Sequence, residues 1–282
     1  RAAIPTRLVV IEDVHIVDGQ ISIIDEQSGR ARNVTGLRAN MSADSLAGPW
    51  RGEGNATLDG EEARFSLSTG TAAVADRRMP LRLRLWPDVQ PVEVNLDGEL
   101  AVGENVPTFR GSFTAAMLQE EDESEPEAEP APSPRAKGSF ELTNDRIRIP
   151  DYRLEVGALD DPYVVTGEAT LDTGLQPDFL LIAEGQQIDV NRLGEGPRGK
   201  TSRNASASAQ RRLQAFVDMA AAIPIPPVGG RASFKLPAMV MNDTTIRDIQ
   251  LDLRPAGSGW TVDKAVATLP GRTRLETSGA LT

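Results

Sequence analysis

From Gly229 to Thr282 the chain alternates apolar and polar residues in four short runs. Ala232, Phe234 and Leu236 alternate with Ser233 and Lys235, and Ile249, Leu251 and Leu253 with Gln250 and Asp252. Trp260 and Val262 alternate with Thr261 and Asp263, and Arg274, Glu276 and Ser278 with Leu275 and Thr277. A period of two puts every second side chain on one face of a sheet, so each run predicts a one-sided strand. Asn242-Asp243, Pro255 to Gly259 and Pro270-Gly271 carry turn chemistry between the runs. The same grammar holds upstream. Asp18-Gly19, between Val14 and Ile16 on one side and Ile21 and Ile23 on the other, predicts a hairpin. Asp59-Gly60 predicts a second, and Pro87 to Pro91 breaks the run that holds Leu81, Leu83 and Leu85. Val92, Val94 and Leu96 run into Asp97-Gly98, after which Leu100 and Val102 start a new strand. Beyond Gly138, Phe140 and Leu142, then Ile147 and Ile149, then Leu154 and Val156 predict three more strands.

A loose repeat of glycine followed by alternating small or apolar residues recurs at Gly54, Gly98, Gly111, Gly138 and Gly167, with irregular spacing. It predicts a long antiparallel meander whose strands start or kink at glycine. Two stretches depart from this. Residues 118–137 are acidic and rich in proline, with no apolar period, and predict a disordered surface loop. Residues 206–222, SASAQRRLQAFVDMAAA, place Leu213, Phe216, Val217 and Ala220 on one helical face and predict the one substantial helix. Pro224, Pro226 and Pro227 stop it. The expected organisation is therefore a β region over 1–117, the loop over 118–137, and a second β region over 138–282 that contains the helix. A sheet with one apolar face must cover that face. It closes on itself, packs a second sheet, or curls into a trough. Aromatic residues are only 4% of the chain, few for a sandwich core, so aliphatic side chains dominate any lining.

Charge narrows the partners. The net charge is −11, but seven acidic groups lie in residues 119–130, which leaves −4 on the remainder. Nucleic acid, which needs a basic footprint, is not an expected partner. Cysteine is absent, which removes disulfides, thiol catalysis and thiolate zinc sites together. No apolar run reaches the roughly 18 residues of a membrane span, and the chain reads as a processed or excised piece; any membrane anchor would lie outside it.

Catalytic candidates are thin. His15 is the single histidine and lies on the polar side of its strand, so no metal site is expected. Glu61-Glu62 and Asp160-Asp161 sit beside turn signals, where acids are ordinarily solvated; glycosidase chemistry needs carboxylates facing each other across a cleft. Gly194-x-Gly196-x-x-Gly199 has the letters of a dinucleotide fingerprint without the strand–turn–helix unit that gives it meaning. Arg211-Arg212 could meet anionic headgroups from the helix, or simply face water. The sequons at Asn33, Asn55, Asn204 and Asn242 are of the kind Ser- and Thr-rich strands produce by chance.

Three stretches resemble the AsmA family of Gram-negative envelope proteins. They are Ala43 to Pro49 with Gly52 to Leu58; Val165 to Asp172 with Phe179 and Gln187 to Leu193; and Pro226 to Gly230 with Ile246 to Leu253, Trp260, Leu269-Pro-Gly271 and Gly279 to Leu281. The acidic insertion at 118–137 departs from the family pattern. The resemblance implies an elongated, curled antiparallel sheet with a taco-like groove, anchored to the inner membrane by a helix missing from this chain. It implies a periplasmic location between inner and outer membrane, phospholipid acyl chains as cargo, a role in outer-membrane assembly, and neither catalytic residues nor a cofactor. The side chains expected to line such a groove are Leu83, Leu85, Val94, Leu96, Phe140, Leu142, Ile147, Ile149, Phe234, Leu236, Leu251 and Leu253. The alternative is that they fill a closed β core, and that the chain is a non-catalytic scaffolding module in outer-membrane protein assembly with no lipid ligand.

Overall fold

The computed structural model describes residues 10–24, 31–58, 60–71, 77–102, 106–118, 134–157, 159–160, 162–189, 228–241, 244–257 and 259–281. The protein is mainly β, and its residues group into two units that divide between Ile149 and Pro150. Among the described residues there is no α-helix; the one helical element is the three-residue 3-10 turn Pro270–Arg272. The expected helix at 206–222 and most of the acidic loop at 118–137 lie outside the described residues.

In the first unit β1 (Ile11–Ile24), β2 (Ala31–Ala43), β3 (Trp50–Leu58), β4 (Glu61–Thr69), β5 (Arg78–Pro87), β6 (Val92–Val102), β7 (Pro107–Met117) and β8 (Arg135–Leu142) pair in chain order. Every one of these pairings is antiparallel. This is the meander that the alternation predicts. Strand β9 (Arg146–Val156) holds the boundary between the units.

The second unit contains β10 (Tyr163–Asp172), β11 (Asp178–Gly185), the two-residue β12 (Ile188–Asp189), β13 (Gly229–Met241), β14 (Thr244–Ala256), β15 (Gly259–Leu269) and β16 (Thr273–Leu281). Here the meander is interrupted. Strands β10 and β11 are antiparallel, but β11 and β12 both run parallel to β13. Parallel neighbours need a long crossover, whereas a hairpin joins only antiparallel ones. No hairpin therefore joins β11 or β12 to β13, and the expectation of an antiparallel sheet throughout is corrected at this junction.

Three expected breaks are also absent. Asp18-Gly19 does not turn the chain: β1 runs through it, with Asp18 at φ 56° and register shifts against β2 on both sides of Gly19. Positive φ with a slipped register marks a bulge, which bends a strand without ending it. Asp97-Gly98 lies inside β6, and Ile147 through Val156 form the single strand β9 with Pro150 in it. Asp59-Gly60, by contrast, does join β3 to β4, and Gly60 takes φ 96°.

The glycine repeat acquires a physical meaning. A Cβ built on Gly54 would strike the Arg38 carbonyl, one on Gly98 the Arg110 carbonyl, one on Gly111 the Asp97 carbonyl, and one on Gly167 the Ile182 carbonyl. Gly98 and Gly111 face each other directly across β6 and β7. These positions bring neighbouring backbones closer than any side chain permits.

Candidate functional site

Strand register stacks the apolar positions of the first unit into rungs. Gly52, Leu67, Leu83, Leu96, Phe113 and Gly138 are successive partners across β3 to β8. Gly54, Phe65, Leu85, Val94, Ala115 and Ala136 form the next rung. Leu81, Gly98, Gly111 and Phe140 make a third, and Met79, Leu100, Phe109 and Leu142 a fourth. Leu83, Leu85, Val94, Leu96, Phe140 and Leu142 thus share one face. Phe140 is buried edge-on against Phe109, with ring centroids 4.8 Å apart. The other five are only half-buried. Ile147 and Ile149 share a face of β9, but Ile147 is 38% exposed and Ile149 half-buried.

The opposite face of this unit is ionic. Arg82 Nε lies 2.9 Å from Asp97, and Arg78 3.3 Å from Glu99. Trp86 Nε1 and Asn95 Nδ2 donate to the two oxygens of Glu93 at 3.1 and 2.9 Å. The Asn95 hydrogen bond holds the Glu93 carboxyl below its usual value against partial desolvation, helped by Trp86 and Arg84. The Arg64 guanidinium stacks over Trp86, 5.7 Å from the ring centroid. Each of these groups is occupied by a neighbour in the sheet. The arrangement keeps this surface polar and ties neighbouring strands together.

In the second unit the rung Leu181, Ala232, Leu253, Val262 runs through β11, β13, β14 and β15, and Ala183, Phe234, Leu251, Ala265 runs beside it. Leu236 pairs with Ile249 on the same face. Phe179, Ala232, Leu253 and Val262 form a contiguous buried cluster, against which Phe234, Leu251 and Trp260 pack. Phe234, Leu236, Leu251 and Leu253 are therefore gathered on one face, as in the first unit; Leu253 is buried in the cluster and the other three are half-buried. Sequence reasoning passed over its two tyrosines. Tyr152 and Tyr163 reach over Gly167 and Gly185 on this face and donate to the carbonyls of Ile182 and Gln186, both at 3.0 Å. Burial pushes both phenols up to about 12. The only signal for them in sequence is a tyrosine near a strand glycine, and which glycine it covers is not local information.

No protein-family model, curated protein or solved structure matches the chain. Its chemistry must be judged on its own residues. His15 lies 2.9 Å from Asp13 and 2.7 Å from the Asn40 amide oxygen, exposed on the polar face. Among the described residues no group of three His, Asp or Glu side chains is placed to hold a metal. Glu61 and Glu62 are adjacent, exposed residues of β4, and Asp160 is exposed. Gly194 to Gly199, Arg211-Arg212 and Asp161 lie outside the described residues.

The polar face of the second unit supplies a test of register. Arg254 grips Asp263 with two bonds of 2.6 Å across β14 and β15. The Arg254 hydrogen bond lowers the Asp263 pKa from 3.8. A depressed carboxylate contributes stability above its unfolded value and loses it as pH falls through the lower folded one. Both groups face water, so the effect on folding is small. Arg254→Ala is expected to move the Asp263 carboxyl titration, followed by NMR, up toward 3.8. An unchanged titration would mean the strands are not in this register.

Proposed function

We propose that the chain is the periplasmic part of an AsmA-like envelope protein whose half-open apolar face carries phospholipid acyl chains between inner and outer membrane. The observation that carries this reading is the asymmetry of the first unit. Leu83, Leu85, Val94 and Leu96 stand half-exposed in adjacent rungs, while the reverse face is laced with ion pairs. Leaving four aliphatic side chains partly in water forgoes burial energy, and an acyl chain lying along the rungs would recover it, at about 0.8 kcal/mol per methylene. Neighbouring strands lie about 4.8 Å apart, so a single chain lying along a rung crosses several strands while touching only hydrocarbon. On this reading the protein is not an enzyme, binds no cofactor, and is held at the inner membrane by a segment outside this sequence.

A second reading, a scaffolding module without lipid, draws on the closed cluster of the second unit, which resembles an ordinary core. A photo-reactive residue at position 85, expressed in the full-length protein in cells, separates the two. Phospholipid adducts from position 85, and none from the polar neighbour Arg84, are expected. Adducts to protein alone would favour the scaffold and remove the transfer reading.

A further inference from the structure

Asp-Gly occurs at Asp18-Gly19, Asp59-Gly60 and Asp97-Gly98. The step has a chemistry of its own. The amide nitrogen after an aspartate attacks the side-chain carboxyl carbon and closes a five-membered succinimide ring, and a following glycine puts no side chain in its way. As the new C–N bond forms, the carboxyl group loses water. Water then re-enters at either ring carbonyl. Opening at one restores aspartate. Opening at the other leaves isoaspartate, whose main chain runs through the former side chain and is longer by one methylene. No oxidant or reductant takes part, and the mass is unchanged. Ring closure turns the Asp–Gly peptide about the aspartate's Cα–C bond, so its rate depends on how firmly that backbone is held.

Asp59 lies outside the described residues, and the other two steps are held very differently. Asp97 and Gly98 lie inside β6, with unbroken ladders to β5 on one side and β7 on the other. The Asp97 carboxylate is tied to Arg82 at 2.9 Å, and the Arg110 carbonyl and Gly111 crowd the space beside Gly98. Asp18 and Gly19 lie in β1, whose neighbour in the sheet order is β2 alone. Asp18 takes φ 56°, and the register slips on both sides of Gly19. A bulge of this kind leaves its extra residue out of the regular ladder. The Asp18 carboxylate has no hydrogen-bond or ion-pair partner among the described residues. Access to water does not separate the two, since the Asp97 side chain is itself 63% exposed. Backbone restraint does. We propose that Asp18 is a site of spontaneous modification, where attack by the Gly19 nitrogen converts it to isoaspartate while Asp97 is spared. The longer main chain falls between the short ladder of Val14, His15 and Ile16 and the pairs from Ile21 to Ile24. The side chains of Ile16 and Leu37 already fill the space beside Gly19, so the added length is passed to the Val14–Ile16 ladder.

The test ages the purified full-length protein for several weeks at physiological temperature and pH. The peptides carrying residues 18 and 97 are then fragmented by electron transfer, which tells isoaspartate from aspartate. Isoaspartate at position 18 at least tenfold above position 97 is expected. In guanidinium chloride, where no strand holds either step, the two positions should come within about threefold of each other. As much isoaspartate at 97 as at 18 in the folded protein overturns the proposal. So does a tenfold preference that survives unfolding, because local sequence would then explain it without the bulge. The modified fraction, separated from the parent by chromatography, should exchange the amides of Val14 to Ile16 at least threefold faster, with β4 to β6 unchanged. Equal exchange there would show that the added methylene is absorbed without loosening β1. None of these readouts involves lipid, so the result is independent of the transfer reading.

Discussion

Leu253→Ala is expected to lower stability by about 3 kcal/mol, within the range of roughly 2–5 for buried leucine truncations. Leu253 is 7% exposed and sits between Ala232 and Val262 in its rung, with Phe179 in the same cluster. Its neighbours are held by ladder hydrogen bonds on β13 and β15, so the cavity cannot collapse by moving one side chain. For a chain of this size each kcal/mol moves the melting temperature by about 2–4 °C, so thermal unfolding followed by circular dichroism should fall by roughly 6–12 °C. Leu83→Ala, in the half-exposed rung of the first unit, should cost about 1 kcal/mol, because less apolar area leaves water in the parent. Equal losses at the two positions would mean that Leu83 is as well covered as Leu253, contrary to their burial.

Gly111→Val is the second large effect. A Cβ at Gly111 falls on the Asp97 carbonyl and 2.5 Å from the Gly98 Cα, and both obstacles are backbone. Neither can rotate away as a side chain would. β6 and β7 must separate locally, and the expected loss is about 2–3 kcal/mol, the upper part of the range for overpacked sites. The β-branch otherwise favours strands, so a loss here cannot come from propensity. Gly279→Ala is the control: nothing lies within 4 Å of a Cβ there, and its urea midpoint should stay near the parent's. A Gly111→Val protein as stable as the control would show that β6 and β7 do not approach as closely as the geometry requires. On the proposed lipid-transfer reading, a variant that folds with β6 and β7 parted should show less phospholipid cross-linking from position 85, because Leu85 pairs with Val94 on β6.

Much of this was open to reading from the chain. Leu81, Leu83 and Leu85 against Arg82 and Arg84 announced a strand with an oily side and a charged side, and the rungs and the Arg82–Asp97 pair bear that out. Asp59-Gly60 and Pro87 to Pro91 were read correctly as breaks because a turn there needs only its own residues. Asp18-Gly19 and Asp97-Gly98 carry the same letters and do not turn. At Gly98 the reason sits 13 residues away: Gly111 lies opposite, and the two backbones need the space that missing side chains leave. At Gly19 the reason is Ile16 and Leu37, whose side chains pack where a Cβ would go.

The twelve expected lining residues divide along the same line. Their alternation gave the shared face, and Phe234, Leu236, Leu251 and Leu253 do sit together, as do the six of β5, β6 and β8. How much water each face sees was not in the pattern. Burial depends on what lies above the sheet, and period-two spacing describes only the sheet.

By itself, then, the order of residues determined that this protein is built of strands and which side chains share a face. Those properties are local, set by alternation and residue type over a few positions. Only the tertiary structure decided that β11 and β13 run parallel, that Gly98 meets Gly111, and that Leu253 lies in a buried cluster while Leu83 stays half-exposed. Backbone hydrogen bonds are the same whichever residues they join, so neither partner nor direction is written into a strand; both are settled when distant segments compete for the same ladder.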